Sequence, residues 1–68
     1  MRERYFRLQR VTTDAQFVTS VIEETSILAA DIEGAVELTM NRRIAPLRPS
    51  ERIRLVSVDG DVLWEKHE

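Results

Sequence analysis

Hydrophobic and polar residues alternate at period two near both ends of this chain and lose that alternation in the middle. Tyr5-Phe6-Arg7-Leu8-Gln9-Arg10-Val11 sets Phe6 and Leu8 on one face and Tyr5, Arg7 and Gln9 on the other. This predicts a half-buried strand with a wet polar face. Near the other end, two β-rich runs flank Asp59-Gly60, which predicts a hairpin with a two-residue turn. That turn sets Leu55 opposite Trp64, Ser57 opposite Val62 and Arg54 opposite Glu65. Ile53, Leu55, Val62 and Trp64 then make the face that packs inward, while Val56, Val58 and Leu63 point the other way.

The middle is less uniform. Thr12-Thr13-Asp14 has turn or capping chemistry, because these side chains bond nearby backbone groups. From Gln16 to Ile27 two signals compete. Phe17, Val18, Val21 and Ile22 recur at helical spacing behind a Thr13/Gln16 capping box. Val18, Thr19, Val21, Ile22, Thr25 and Ile27 are β-branched and suit a pleated surface. A twisted strand buried on both faces is the preferred expectation, with a short helix as the alternative.

Residues Asp31 to Arg43 predict a helix capped by Asp31, with Glu33 at the positive end of its dipole and Arg42 and Arg43 at the negative end. Ile32, Ala35, Val36 and Met40 would form its apolar face. Gly34 weakens such a helix by about 1 kcal/mol relative to Ala and leaves room for a neighbouring backbone. Pro46 and Pro49 end it and stiffen the connection onward. The expected fold is α+β: one domain over 1–68, a small antiparallel sheet with one amphipathic helix packed on one face. The element order is ββαββ, with βααββ as the alternative.

Composition narrows the function classes. A chain of 68 residues has a marginal core without disulfides, metal or a partner. It contains no cysteine, so disulfides, thiolate chemistry and Cys-based zinc sites are excluded. At 43% hydrophobic with two Gly and two Pro, it is globular in composition. Its longest wholly apolar run, Ile27-Leu28-Ala29-Ala30, is too short to span a bilayer, and no signal-peptide pattern is present, so a cytoplasmic protein is expected.

The net charge of -2 hides a segregation: residues 14–41 carry six acids and no Lys or Arg, whereas residues 42–54 carry five Arg against Glu51. Nine of the ten basic residues are Arg, which a GC-rich coding bias explains as well as any need for guanidinium groups.

No residue pattern points to catalysis, a cofactor or a metal. His67, the one histidine, lies near the end of the chain with nothing to position it. Asp59-Gly60-Asp61 lacks the ligand spacing of a calcium loop and reads as a turn. Glu23, Glu24, Asp31, Glu33 and Glu37 have no nucleophile or histidine partner and read as a solvated face. Pro46-Leu47-Arg48-Pro49 has the minimal spacing of a polyproline ligand and reads as a linker.

The arginines alone suggest a binding site. Arg42, Arg43, Arg48, Arg52 and Arg54, with Arg4, Arg7, Arg10 and Tyr5, would form a strip for phosphate contacts with an aromatic for stacking. The competing reading pairs them with the acidic middle. The sequence pI near 5.4 weighs against a dedicated nucleic-acid binder.

The Arg4-Tyr5-Phe6 strand, the helix Asp31-Ile32-Glu33-Gly34-Ala35-Val36-Glu37-Leu38 and the closing Val58-Asp59-Gly60-Asp61-Val62 hairpin together resemble small uncharacterised bacterial α+β proteins. The Asp-capped helix after a strand is also similar to small antitoxin-type domains that bind a partner protein, without their glycine-containing strand turns. Neither resemblance brings a site with it. The expected function is that of a non-enzymatic protein acting by protein association, a homodimer through Val56, Val58 and Leu63. The alternative is a small nucleic-acid-binding or regulatory protein that uses the Arg strip.

Overall fold

Four strands and one helix make up the chain in the computed structural model, which describes residues 2–67; Met1 and Glu68, the ends of the expected domain, lie outside the described residues. In chain order they are β1 (Arg4–Thr13), β2 (Thr19–Ala29), α1 (Ile32–Met40), β3 (Glu51–Val56) and β4 (Val62–His67). The strands form one antiparallel sheet in the order β2-β1-β3-β4, so β1 and β3 are central and β2 and β4 are edges. The architecture is α+β.

Residues 19–29 are strand, so the preference of β-branched side chains for a pleated surface prevails over the helical spacing. The strand is not buried on both faces as expected. Only Ile27 and Ala29 are buried, because the helix covers that end alone and nothing flanks the strand's outer edge.

The core lies between the sheet and the segment from α1 to β3. Phe6, Leu8, Ile27, Ala29, Ile53 and Leu55 face Ala35 there, with Ile32, Val36, Ile44, Leu47 and Trp64 packed around them. Leu55 is fully buried, worth about 2 kcal/mol of hydrophobic transfer. The helix is shorter than the expected 31–43. Asp31 Oδ1 accepts the Gly34 N–H at 2.8 Å, which caps the start, and Asn41 caps the end. Arg42 and Arg43 therefore lie beyond the helix and no basic residue occupies its last turn. Its inner face is Ile32, Ala35, Val36 and Thr39; the Thr39 hydroxyl is satisfied by donating to Ala35 O, and Met40 is exposed. A Cβ on Gly34 would crowd the capping Asp31 Oδ1 at 3.3 Å and meet the Ala29 Cβ at an ordinary 3.6 Å, so the close approach here is to the cap rather than to β2.

Both hairpins turn by one hydrogen-bond pattern. At β1–β2, Asp14 N donates to Val18 O and Phe17 N to Asp14 O; at β3–β4, Ser57 N donates to Asp61 O and Gly60 N to Ser57 O. The side chain of the residue before each loop accepts two backbone N–H groups: Asp14 Oδ1 from Gln16 and Val18, Ser57 Oγ from Asp59 and Asp61. The third loop residue is left-handed in both, Gly60 at φ +95 and Phe17 at φ +64.

The second hairpin thus has a three-residue loop, Val58-Asp59-Gly60, rather than the expected two-residue turn. It pairs Val56 with Val62, and a bulge before Trp64 restores the Leu55–Trp64 register. Val62 is therefore shifted off the inner face that sequence assigns to it.

A Cβ disfavours the left-handed region, and Gly60 has open space around it, so the two loops test the backbone alone. Phe17→Gly is expected to stabilise the fold and Gly60→Ala to destabilise it, each by about 1 kcal/mol in urea unfolding. Shifts of the same sign for both would contradict this reading of the loops.

Candidate functional site

The two faces of the sheet differ. On the face that α1 leaves bare, strand register places residues in rows: Leu28 and Tyr5; Ser26, Arg7, Val56 and Val62; Glu24, Gln9, Arg54 and Glu65; Val21, Val11, Arg52 and His67; Thr19 and Thr13. Several polar side chains of this array bond one another across the strands. Gln9 Nε2 donates to Glu24 Oε2 at 2.6 Å, and Arg54 Nε donates to Gln9 Oε1 at 2.9 Å. Arg52 Nε donates to Glu65 Oε2 at 2.8 Å and Arg52 Nη1 to Thr13 Oγ1 at 2.9 Å. Gln9 is consequently buried at 7% exposure, and Val11, beside the stem of Arg52, is fully buried. The expectation of a wet face on β1 fails at Gln9, which Glu24 and Arg54 bond from either side.

This arrangement splits the expected dimer patch. Val56 is only 4% exposed, held in the sheet between Arg7 and Val62. Val58 is 70% exposed but sits in the hairpin loop, and Leu63 is the extra residue of the β4 bulge. The three do not form one exposed face.

The arginines are divided in the same way. Arg7 Nη2 donates to Ser57 O at 3.1 Å, while its Nε is buried without a hydrogen-bond partner. Arg54 is bonded to Gln9, and the ion pair on β4 is Arg52–Glu65, not the Arg54–Glu65 pair that register alone suggests. On the other face Arg10 clamps the connection between α1 and β3. Its Nη1 donates to Ala45 O at 2.9 Å, and its Nη2 donates to Pro46 O and to Glu51 Oε1, both at 2.7 Å. Arg42, Arg43 and Arg48 remain exposed on that connection. Arg42 and Arg43 line a cavity of about 110 Å³ together with Arg10, Glu23, Leu8 and Ile53. Neither ion pair found among the described residues, Arg10–Glu51 or Arg52–Glu65, uses an acid from residues 14–41. Pairing of the basic flanks with the acidic middle is not what holds the arginines.

Glu51 is the anionic end of the clamp. The Arg48 backbone N–H, donating at 3.0 Å, and the Arg10 guanidinium hold its carboxyl below the ordinary value of 4.5. Its contribution to stability is present in full above about pH 4.5 and is lost as pH falls through the lowered folded value. Glu51→Gln is expected to be less stable than the parent at neutral pH, with the difference shrinking as pH falls below the ordinary carboxylate value of 4.5. A difference independent of pH in urea unfolding would place the effect elsewhere.

The remaining feature is the outer edge of β2, which sequence reasoning missed. Thr13 N donates to Ser50 O, so odd residues of β1 bond toward β3 and even ones toward β2. Thr25, Ile27 and Ala29, opposite Leu8, Phe6 and Arg4, therefore turn their backbone groups inward. Those of Glu24, Ser26 and Leu28 face outward, without a strand beside them. Natural edges are blunted by charge, above all Lys, by Pro, by bulges, by short length or by a covering element; β2 has an irregularity at Ile22 and the adjacent Glu23 and Glu24, and runs regularly beyond them. The β4 edge has six residues and carries Lys66; β2 has eleven, with neither Lys nor Pro. Val21, Ile22 and Leu28 are exposed along β2, and Phe17, 88% exposed, and Val18 continue the apolar surface to the hairpin tip. Alternation and the edge position together are the signal, and only topology supplies the second.

Among the described residues no group of three or more His, Asp or Glu is placed to hold a metal, and no helix is long and apolar enough to cross a membrane. No protein-family model matches the chain, and neither a curated protein nor a solved structure does.

Proposed function

We propose that this is a non-enzymatic cytoplasmic protein that acts by association, and that its first partner is a second copy of itself joined along β2. The observation that carries this reading is the open edge of β2 beyond its irregularity at Ile22, with outward backbone groups at Glu24, Ser26 and Leu28 and apolar side chains exposed along the strand. The bare sheet face is a weaker candidate, since Gln9, Glu24, Arg54, Arg52 and Glu65 already bond within it and Val56 is buried. A partner strand satisfies the free groups of an edge and shields apolar surface that a domain of this size leaves exposed.

Ser26→Pro tests the reading, because it removes an outward N–H without touching the ladder to β1. The parent is expected to sediment as a dimer and the variant as a monomer with an unchanged circular dichroism spectrum. A monomeric parent, or a dimer indifferent to the proline, would refute association through this edge.

A second reading retains phosphate contact, favoured by the exposure of Arg42, Arg43 and Arg48 together on one connection. It requires a labelled DNA duplex to bind with steep salt dependence, and Arg42→Glu with Arg43→Glu to abolish that binding while the fold survives. Unchanged affinity in the double variant would remove it.

A further inference from the structure

We infer that two copies pair antiparallel along β2 about a two-fold axis passing between their Thr25 residues. This rests on the proposed association through the β2 edge and adds its register.

A two-fold axis that joins antiparallel edge strands stands perpendicular to the sheet, so each face stays on its own side. Directly opposite residues share a face, and the axis must therefore pass through a residue position rather than between two. Each register is named by the residue at its centre. After the irregularity between the partners of Arg10 and Val11, β2 is regular and offers Glu23, Glu24, Thr25, Ser26 and Ile27 as centres.

A centre at Glu23 or at Glu24 sets a carboxylate directly against its own copy, which is destabilising. A centre at Ile27 falls on a core residue and leaves a short overlap. A centre at Ser26 sets Glu24 against Leu28 and Glu23 against Ala29. A centre at Thr25 gives a longer overlap and sets Glu24 opposite Ser26, whose hydroxyl can donate to it. It also sets Thr25 opposite Thr25 and Glu23 opposite Ile27.

The backbone agrees with this choice. Glu24 and Ser26 of opposing copies both present outward groups and exchange both bonds, which makes the Thr25 pair the closely spaced one between them. The same symmetry keeps both helices on one face. It carries each hairpin tip, with Phe17, past the end of the other copy's β2.

The absence of cysteine makes the register directly readable. Single variants Glu23→Cys, Glu24→Cys, Thr25→Cys and Ser26→Cys, all at exposed positions, are oxidised under mild conditions, and the mass of each reduced protein is measured beside it. Only Thr25→Cys brings two Cα atoms to about 4.5 Å, within disulfide range; its neighbours face their own copies from about 7 Å or more. Thr25→Cys is expected to form covalent dimer about tenfold faster than the others, since they fall outside bridging distance. Fastest cross-linking at another position would overturn the register and leave association along the edge standing. Dimeric mass with no cross-link at any position would overturn pairing along β2 but not dimerisation. Monomeric mass throughout would overturn both.

Discussion

The guanidinium of Arg10 is the interaction on which the rest of this structure depends. It leaves the central strand β1 on the helix-covered face and bonds Ala45 O, Pro46 O and Glu51 Oε1 at once. The crossing from α1 to β3 is a stretch without regular structure, and such a stretch must find partners for its backbone carbonyls. Arg10 supplies them from its fork of donors, and Glu51 neutralises it. With the crossing held, Ile44 and Leu47 close over Leu8, Ile53 and Leu55, and β3 enters the sheet beside β1. A charge and a bend in the chain thus complete a core too small to cover the sheet by apolar packing alone.

That economy leaves one face bare and one edge open, with different consequences. The bare face is closed by side chains: Glu24, Gln9 and Arg54 bond across three strands, and Arg52 bridges Glu65 and Thr13. These bonded side chains leave Gln9, Val11 and Val56 buried among them. The edge of β2 has no comparable closure, because side chains there point above and below the sheet while the unmet groups belong to the backbone. Glu23 and Glu24 are its only charges. Adjacent and alike, in the proposed pairing of two copies they exclude the alignments that set one carboxylate against its own copy.

Much of the fold was legible in the residues. Alternation in Tyr5–Val11 and in Ile53–Val56 located β1 and β3, and Asp31 located the start of the helix through a bond that is present. The failures have physical causes. Phe17 occupies a left-handed position filled by Gly60 in the second hairpin, so nothing in its composition marked the first loop as the same kind of turn. The loop at Val58-Asp59-Gly60 is one residue longer than the Asp-Gly signal implies, and a bulge absorbs the excess, which moved Val62 and removed the expected patch of Val56, Val58 and Leu63. The edge of β2 was illegible for another reason. Whether a strand lies at an edge is decided by the order β2-β1-β3-β4, a property of the whole chain and not of residues 19–29.

Amide hydrogen exchange in β2, followed by NMR over a range of protein concentrations, tests the central claim most directly, because it reads the backbone groups themselves. If the edge is where this protein associates, the N–H groups of Glu24, Ser26 and Leu28 become slower to exchange as concentration rises, while those at the outer edge of β4 do not change. Exchange at those three amides that stays fast at every concentration would contradict the account.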